Sequence, residues 1–279
     1  MYPYLLPEVF GYNLPMYDIM IMIGIFAMLV YTAIRFEKHD GLTRKQTNKV
    51  LLIIVMSLLA ALVSSYIVDG VFHFIGDYQT LHAEGYTFFE IVQESFGSIT
   101  FIGGLAGGVL TFVLLYKCRY NEENKNLKTV MNTLITGVVL AHAFGRIGCF
   151  FAGCCHGIPT DSFLGVVFPH GHATELYPGE AVFPTQLFES GFLFLLFIGL
   201  NMIKKVKGIE LEVYMIAYGT FRFLNEFLRG DDRGSIFGFI TTEYNSYPSP
   251  SQYLSLLLIG AGIYLLLKHK KKIQLQAGE

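Results

Sequence analysis

Long apolar stretches separated by short polar segments dominate the chain. A helix needs about 20 mostly apolar residues to cross the hydrocarbon core of a bilayer, and seven stretches reach or approach that length. They are residues 16–34, 50–68, 96–116, 129–145, 185–203, 212–228 and 251–267. The fifth contains Glu189 and the sixth contains Arg222 and Glu226, which lipid would penalise. The pattern predicts an all-α integral membrane protein with seven transmembrane helices in a single membrane domain, residues 1–279.

Lysine and arginine are unevenly distributed between the segments that join these stretches. Most of the chain's 20 basic residues lie between the first and second, third and fourth, and fifth and sixth stretches, and after the seventh. Residues 73–95 and 149–184 contain neither lysine nor arginine. Basic residues are enriched on the cytoplasmic side of membrane proteins. The distribution therefore predicts an outside N-terminus, a cytoplasmic C-terminus and two extracytoplasmic segments, 73–95 and 149–184.

The overall composition agrees with a membrane protein and excludes several other classes. Hydrophobic residues make up 53% of the chain and charged residues 15%, against about 25% charged residues in an ordinary soluble domain. The chain is too apolar for a disordered protein, lacks the basic surface of a nucleic-acid-binding protein, and does not have the composition of a small disulfide scaffold. No nucleic-acid partner is expected.

Four arginines lie outside the basic segments, in or just beyond the outer ends of the fourth and sixth stretches. They are Arg146, Arg222, Arg229 and Arg233. An arginine there can extend to the lipid headgroups and anchor a helix end. Its guanidinium can also hold a phosphate through two parallel hydrogen bonds, and the obvious phosphate at this level belongs to a lipid headgroup. The small, aromatic or acidic neighbours of Arg146 and Arg222 favour phosphate binding.

Acidic residues lie in the fifth and sixth stretches. Glu189 follows Pro184, which suits the first turn of a helix, and is therefore about one turn inside the fifth stretch. Arg222 and Glu226 share one helix face at i, i+4 spacing, and Arg229 is three residues further along it. An internal ion pair that only stabilises the helix bundle is one interpretation. Three ionisable groups within spans favour a polar cavity.

Three cysteines and a histidine are clustered in the second extracytoplasmic segment. They are Cys149, Cys154, Cys155 and His156. A disulfide from Cys149 to Cys154 or Cys155 is one interpretation, because oxidation is possible outside the cytoplasm. A metal site is a second, since the ligand types are suitable, although the spacing matches no standard zinc pattern. Packing of small residues at the helix end is the third, and no residue is assigned as a metal ligand.

Four motifs, in order along the chain, resemble those of the phosphatidylglycerol–prolipoprotein diacylglyceryl transferase family. They are Gly-Arg-Ile-Gly at 145–148, Pro-Thr-Gln-Leu-Phe-Glu at 184–189, Arg-x-x-x-Glu-Phe-x-Arg at 222–229 and Ser-Gln-x-Leu-Ser at 251–255. Tyr17, before the body of the first stretch, matches a family tyrosine. The resemblance covers most of the chain and implies the same seven spans in the same orientation.

The chain departs from the family pattern at positions linked to thiol activation. Ile102 stands where the family has a histidine, and Cys149, Ala152 and Cys154 stand where it has two asparagines and a glutamate. The arginines and later glutamates are kept, so lipid-phosphate binding carries over better than activation of the acceptor thiol. His142, one turn before Arg146, or His156 could supply the missing base.

The resemblance implies transfer of the diacylglyceryl group of phosphatidylglycerol to the lipobox cysteine of prolipoproteins, with thioether formation and release of glycerol 1-phosphate. The expected partners are phosphatidylglycerol, the prolipoprotein signal peptide and the lipids of the bacterial inner membrane, without an organic cofactor. Catalytic roles are assigned to Glu189, Arg222, Glu226 and His142. Substrate contacts are assigned to Arg146, Gly148, Gly157, Gln186, Arg229 and Tyr17.

Two alternatives remain open at this point. One is a related lipid-dependent transferase with a non-lipoprotein acceptor. The other is a non-catalytic lipid-binding membrane protein, although a carrier would more often show two repeated halves and the sequence contains no such repeat.

Overall fold

The computed structural model describes residues 4, 14–96, 100–120, 127–231 and 248–277. Nine α-helices lie within these residues: α1 (Met16–Lys38), α2 (Arg44–Ala83), α3 (Phe88–Ser95), α4 (Phe101–Tyr120), α5 (Leu127–Ala152), α6 (His172–Leu176), α7 (Thr185–Met202), α8 (Glu210–Asn225) and α9 (Pro250–Ala277). Short 3-10 turns at Lys204–Val206 and Glu226–Leu228 precede and follow α8. Strands β1 (Val166–Val167) and β2 (Ala181–Val182) form a small antiparallel hairpin. Arg233, noted in the sequence, lies outside the described residues.

Five of the described helices are long and apolar enough to cross a membrane. They are α1, α2, α5, α7 and the Pro250–Lys271 part of α9. The prediction of an all-α, multi-pass membrane protein is therefore confirmed. The count of seven crossings stays a prediction, because the apolar part of α4, Gly103–Cys118, and the 16 residues of α8 are shorter.

Helix α2 is much longer than the predicted span 50–68. It begins after Thr43, whose hydroxyl accepts a hydrogen bond from the Gln46 N–H while the Gln46 side chain accepts one from the Thr43 N–H. It continues to Ala83, well into the segment predicted to lie outside the membrane. His73 lies one turn from Asp69 and one turn from Asp77 along this part of the helix. Such i, i+4 neighbours support a helix beyond the end of the predicted apolar span.

The chain divides into two compact units. The second unit, Arg35–Leu127, contains α2, α3 and α4. Its helices α2 and α4 pack closely through small residues, and the Ser64 hydroxyl donates to the Gly103 carbonyl over 2.8 Å. Small residues at such contacts are typical of membrane helices, because they let backbones approach.

The first unit, Met1–Ile34 with Lys128–Glu279, contains every residue to which the sequence assigned a role. Its apolar core lies between α5 and α7 and is built from Val139, Ala143, Leu193 and Leu200. Ser190 of α7 adds a hydrogen bond to the Ala143 carbonyl, and α8 packs against α9. These contacts hold α5 beside α7 and α8 beside α9.

The segment after α5 is shaped by two glycines in the left-handed backbone region. Gly153 has φ of +68° and Gly171 has φ of +84°. A Cβ on Gly153 would overlap the His170 carbonyl oxygen, and one on Gly171 would overlap the Ala152 carbonyl oxygen. The backbone at Gly153 therefore contacts the backbone at Gly171 directly. This contact holds the chain around Gly171 against the end of α5.

Candidate active site

Glu189 is the centre of a buried polar cluster contributed by three helices. Its side chain is 2% exposed, and Arg146 Nε of α5 lies 3.0 Å from Glu189 Oε2. His142, one turn earlier on α5, places Nε2 3.6 Å from Glu189 Oε1. The Tyr218 hydroxyl of α8 donates to the same Oε1 over 2.9 Å. The sequence predicted that these acidic and basic residues share a site, and the fold brings them together.

Arg146 has a buried donor nitrogen without a hydrogen-bond partner in the described part of the chain, while the rest of its side chain interacts with Glu189, Cys149 and Cys155. Its side chain is 11% exposed, and Nη1 approaches the Cys149 sulfur at 3.6 Å. Nη2 is buried and has no hydrogen-bond partner among the described residues. A buried donor without an acceptor is costly, so an anion that accepted this bond would be favoured.

Glu226 is the centre of a second cluster at the junction of α8 and α9. Arg222 Nη1 lies 2.9 Å from Glu226 Oε2, and both side chains belong to consecutive turns of one segment. The Ser249 hydroxyl donates to Glu226 Oε1 over 2.8 Å. Arg222 Nη2 donates to the Ser251 hydroxyl over 3.1 Å. Glu226 therefore ties the end of α8 to the beginning of α9.

Arg229 is paired mainly with a residue that sequence reasoning missed. Its Nε donates to Asp231 Oδ1 over 2.8 Å, and its Nη2 donates to the second oxygen of the same carboxylate. Glu226 Oε2 is 4.0 Å from Arg229 Nε. Burial opposes the charged form, but the hydrogen bonds and charge of Asp231 raise the pKa of Arg229 above its ordinary value. The guanidinium thus stays charged.

Gly157 and Gly148 lie at close backbone contacts. The Gly157 N–H donates to the Phe183 carbonyl over 2.8 Å, and Gly157 pairs with Arg229 across an isolated bridge. A Cβ on Gly157 would lie 2.6 Å from the Leu228 carbonyl oxygen. The fold therefore brings Gly157 and Arg229 together, as the sequence assignment to one site requires.

Tyr17 and Gln186 also lie against backbone. A Cβ on Gly148 of α5 would lie 3.1 Å from the Tyr17 carbonyl oxygen of α1. Gln186 Nε2 donates to the Cys154 carbonyl over 2.6 Å. The Gln186 side chain thus positions the turn that follows α5.

The three cysteines that are close in sequence after residue 148 are also close in the fold. All four cysteines, which lie within the described residues, are free. The sulfur atoms of Cys149, Cys154 and Cys155 lie within 4.8 Å of one another. Hydrogen bonds from Cys149 and Cys154 lower the pKa of the Cys155 thiol, and nearby guanidinium groups act in the same direction.

The two candidate base histidines have different surroundings. His142 contacts Glu189, as given above. His156 is fully buried, with Nδ1 3.0 Å from the Gly157 carbonyl oxygen and its ring against Tyr177 and His172. Only His142 is in contact with a buried carboxylate among the contacts found in the described residues.

Comparison with known families decides the classification. The family described as prolipoprotein diacylglyceryl transferase matches residues 5–268. The chain belongs to this family. It is 32% identical to phosphatidylglycerol–prolipoprotein diacylglyceryl transferase 2 of Clostridium perfringens over 98% of both chains. A relative of Clostridium tetani is 31% identical over 92% of this chain and 94% of its own, and one of Finegoldia magna is 28% identical over 95% of both. The family resemblance and the expectation of a transferase are confirmed.

Four partners in the two clusters were assigned no role in the site from the sequence. Tyr218, Ser249, Ser251 and Asp231 contact the buried ion pairs. A signal existed for Tyr218, which is four residues before Arg222 and so on the same helix face. Asp231 is two residues after Arg229. At this separation two oppositely charged side chains in a turn can form an ion pair. Ser249 lies three residues before Gln252, the spacing of a helix N-cap, and Ser251 begins the fourth motif, but no local pattern predicts their contacts with residues of α8 and the turn after it.

Proposed function

We propose that this transferase moves the diacylglyceryl group of phosphatidylglycerol to the lipobox cysteine of prolipoproteins. A thioether forms and glycerol 1-phosphate is released, a step in lipoprotein biosynthesis. The named relatives carry this activity in their names. The observation that carries the proposal for the site is the buried Arg146 guanidinium, paired with Glu189 and retaining an unused donor at Nη2.

Arg146 and Arg222 bind the phosphodiester in this proposal. Arg146 offers Nη2 to a phosphate oxygen, a charge-assisted bond of the stronger kind. Arg222 is within electrostatic reach of Glu189 and adds a second positive charge. Negative charge grows on the departing phosphate as the glycerol C–O bond breaks, and preorganised cations stabilise such charge. Glu189 and Glu226 hold the two guanidinium groups in position.

His142 is the proposed base. Its Nε2 lies 3.6 Å from Glu189 Oε1, so a proton received by the imidazole is stabilised by the carboxylate. The thiol of the acceptor loses this proton, its sulfur attacks the glycerol carbon, and the C–O electron pair leaves with the phosphate. The further proposed substrate contacts are Gly148, Gly157, Gln186, Arg229 and Tyr17, which lie in the same unit.

The proposal includes seven crossings of the bacterial inner membrane by one membrane domain, residues 1–279. Helices α4 and α8 add the two crossings beyond the five long helices. The lysine and arginine distribution supports a cytoplasmic C-terminus. It also supports an extracytoplasmic position for residues 73–95 and 149–184, where a substrate signal peptide would be reached after export.

A reconstituted assay tests the proposed reaction. The purified protein in phosphatidylglycerol vesicles receives a peptide with a lipobox cysteine or a matched peptide with serine in its place. With the cysteine peptide we expect glycerol phosphate and diacylglyceryl peptide in equal amounts. With the serine peptide we expect neither product. Release that is equal with both peptides would indicate another acceptor, and the absence of release would contradict a transferase reaction on this lipid.

A further inference from the structure

The three sulfur atoms at the end of α5 have an arrangement that the proposed function has not used. Cys149 lies on the last turn of α5, and Cys154 and Cys155 lie on the turn that follows. All three residues are partly exposed. We propose that Cys149, Cys154 and Cys155 bind one Zn²⁺ ion, whose remaining coordination position receives the thiolate of the acceptor cysteine. The role of the ion rests on the proposed function, whereas the site itself does not.

The sulfur separations are compatible with one shared metal ion. Zinc–sulfur bonds are about 2.3 Å long, which places three sulfurs of a common ion about 4 Å apart. The three sulfurs lie within 4.8 Å of one another, so they need to move by less than about 1 Å to reach these bond lengths. A disulfide would require one pair to approach to about 2 Å and would leave the third thiol unused.

The backbone that carries the thiols is held in a particular shape. Cys155 has φ of +58°, which is uncommon for a residue other than glycine. Gln186 Nε2 donates to the Cys154 carbonyl over 2.6 Å, and the Thr185 hydroxyl donates to the Cys155 carbonyl over 2.8 Å. The beginning of α7 therefore fixes both peptide groups. Backbone strain that is held by surrounding bonds is typical of ligand-binding positions.

Charge balance also favours an ion at this position. Binding breaks three S–H bonds, forms three zinc–sulfur bonds and sends three protons to solvent, without any oxidation or reduction. The product carries one net negative charge, and Arg146 Nη1 lies 3.6 Å from the Cys149 sulfur. Donors to a ligand sulfur orient and stabilise a metal site.

The same arginine connects the ion to the proposed lipid site. Arg146 contacts Cys149 through Nη1 and Glu189 through Nε. A thiolate on the fourth position of the ion would therefore lie near a phosphate bound by Arg146. Coordination to zinc deprotonates a thiol outright, and the proton of the acceptor thiol passes to His142, the proposed base. The acceptor sulfur then attacks the glycerol carbon, the C–O electron pair leaves with the phosphate, and the thioether product leaves the ion.

Metal binding is tested first without reference to activity. The reduced, metal-free protein in detergent is titrated with Cd²⁺, which gives an ultraviolet charge-transfer band with thiolates, and then with Zn²⁺ to displace it. We expect one ion per chain and protection of three thiols from alkylation, while Cys118 stays reactive. Cys154→Ser should weaken binding by more than about tenfold, as the loss of even an indirect contact can do. Cys118→Ser is the matched control and should bind as the unchanged protein does.

The outcomes separate the site from the reaction. Absence of stoichiometric binding, or binding unchanged in Cys154→Ser, would overturn the proposal. So would an internal disulfide in the isolated protein together with no metal binding after reduction. If a variant fails to fold, the proposal is still tested in the unchanged protein, where the ion should protect three thiols from alkylation and the absence of protection would overturn the site.

The role of the ion has its own test. A cysteine peptide, but not its serine counterpart, should alter the charge-transfer band of the Cd²⁺ protein. Removal of the metal should lower peptide lipidation more than tenfold, with recovery on addition of Zn²⁺. Undiminished lipidation by the metal-free protein would overturn this role and leave the proposed function standing. Metal binding without any lipidation would instead contradict the proposed function.

Discussion

Glu189 and Glu226 are both buried carboxylates beside an arginine, yet their partners come from different places. Glu189 of α7 is paired with Arg146 of α5, far away in sequence. Glu226 is paired with Arg222, one turn earlier in the same segment, and with Ser249 at the beginning of α9. The first pair exists only in the folded bundle, whereas the ion pair of the second can form within a single helical segment.

The difference extends to the donors that remain. Arg222 Nη2 is bonded to Ser251, and Arg229 is bonded to both oxygens of Asp231. Arg146 Nη2 has no acceptor among the described residues. The Glu226 cluster is therefore arranged to join helices, while the Glu189 cluster retains the capacity to bind an anion.

Replacing Arg146 should have the largest effect. Arg146→Ala removes the spare donor, and hydrogen bonds of charged groups are worth about 1.5–3 kcal/mol each, or roughly tenfold or more in rate per bond. We expect Arg146→Ala to be inactive and Arg146→Lys to be impaired, since lysine lacks the planar fork. The measurement is glycerol phosphate release per folded protein, with Lys204→Ala as a surface control. Turnover of Arg146→Ala within threefold of the unchanged protein would show that Arg146 is only a helix anchor.

Neutralising the two glutamates should separate the clusters. Loss of one partner from a buried ion pair costs about 3–5 kcal/mol. We expect Glu226→Gln to lower the thermal midpoint more than Glu189→Gln, because Glu226 joins α8 to α9. Glu189→Gln should lower turnover of the folded protein more than Glu226→Gln. If the two variants changed the thermal midpoint equally and the turnover equally, the proposed difference between the Glu189 and Glu226 clusters would be wrong.

Ser249→Ala tests the joint between α8 and α9. Ser249 donates to Glu226 and also caps α9, since its hydroxyl accepts from the Gln252 N–H. Loss of a cap costs about 0.5–2 kcal/mol, so the thermal midpoint should fall while turnover of the folded protein changes little. Ser251→Ala is the matched control, because it removes a bond to Arg222 without removing the cap. A larger loss of stability in Ser251→Ala would contradict this assignment.

Tyr218→Phe should have the smallest effect. It removes one hydrogen bond to Glu189 but keeps the ring contacts with His142 and Tyr214. A single hydrogen bond contributes about 1 kcal/mol, so turnover should fall roughly fivefold. A loss as large as that of Arg146→Ala would instead indicate that the Tyr218 hydroxyl contacts the substrate.

The sequence predicted helices well where apolar residues run continuously, and less well where polarity changes within a helix. The core of α5 and α7 follows from two mostly apolar stretches, although the second of them contains Glu189. The C-terminal half of α2 does not, because Asp69, His73 and Asp77 end the apolar pattern and their one-turn spacing is the only local sign that the helix continues. Local pairing along a helix face compensates for the loss of hydropathy there.

The candidate site was predictable as a set of residue types and not as a set of contacts. The spacing of Arg222 and Glu226 predicts their pairing, since both lie on one helical segment. The pairing of Arg146 with Glu189 depends on how α5 packs against α7, which no local pattern encodes. The sequence also left the role of the three thiols open between a disulfide, a metal site and packing. The direction of the Cys155 side chain depends on one left-handed backbone angle, which no local pattern encodes.

The contact of Gly153 with Gly171 restricts how this protein can change during evolution. At each position any other residue would have to adopt a positive φ, and its Cβ would overlap a backbone carbonyl oxygen. Both obstacles apply whatever the size or polarity of the new side chain. Neither position can be relieved by changing the other, because each obstruction is main chain. In a library of random variants selected only for folding, codons 153 and 171 should therefore be depleted of all substitutions, while neighbouring exposed codons drift freely.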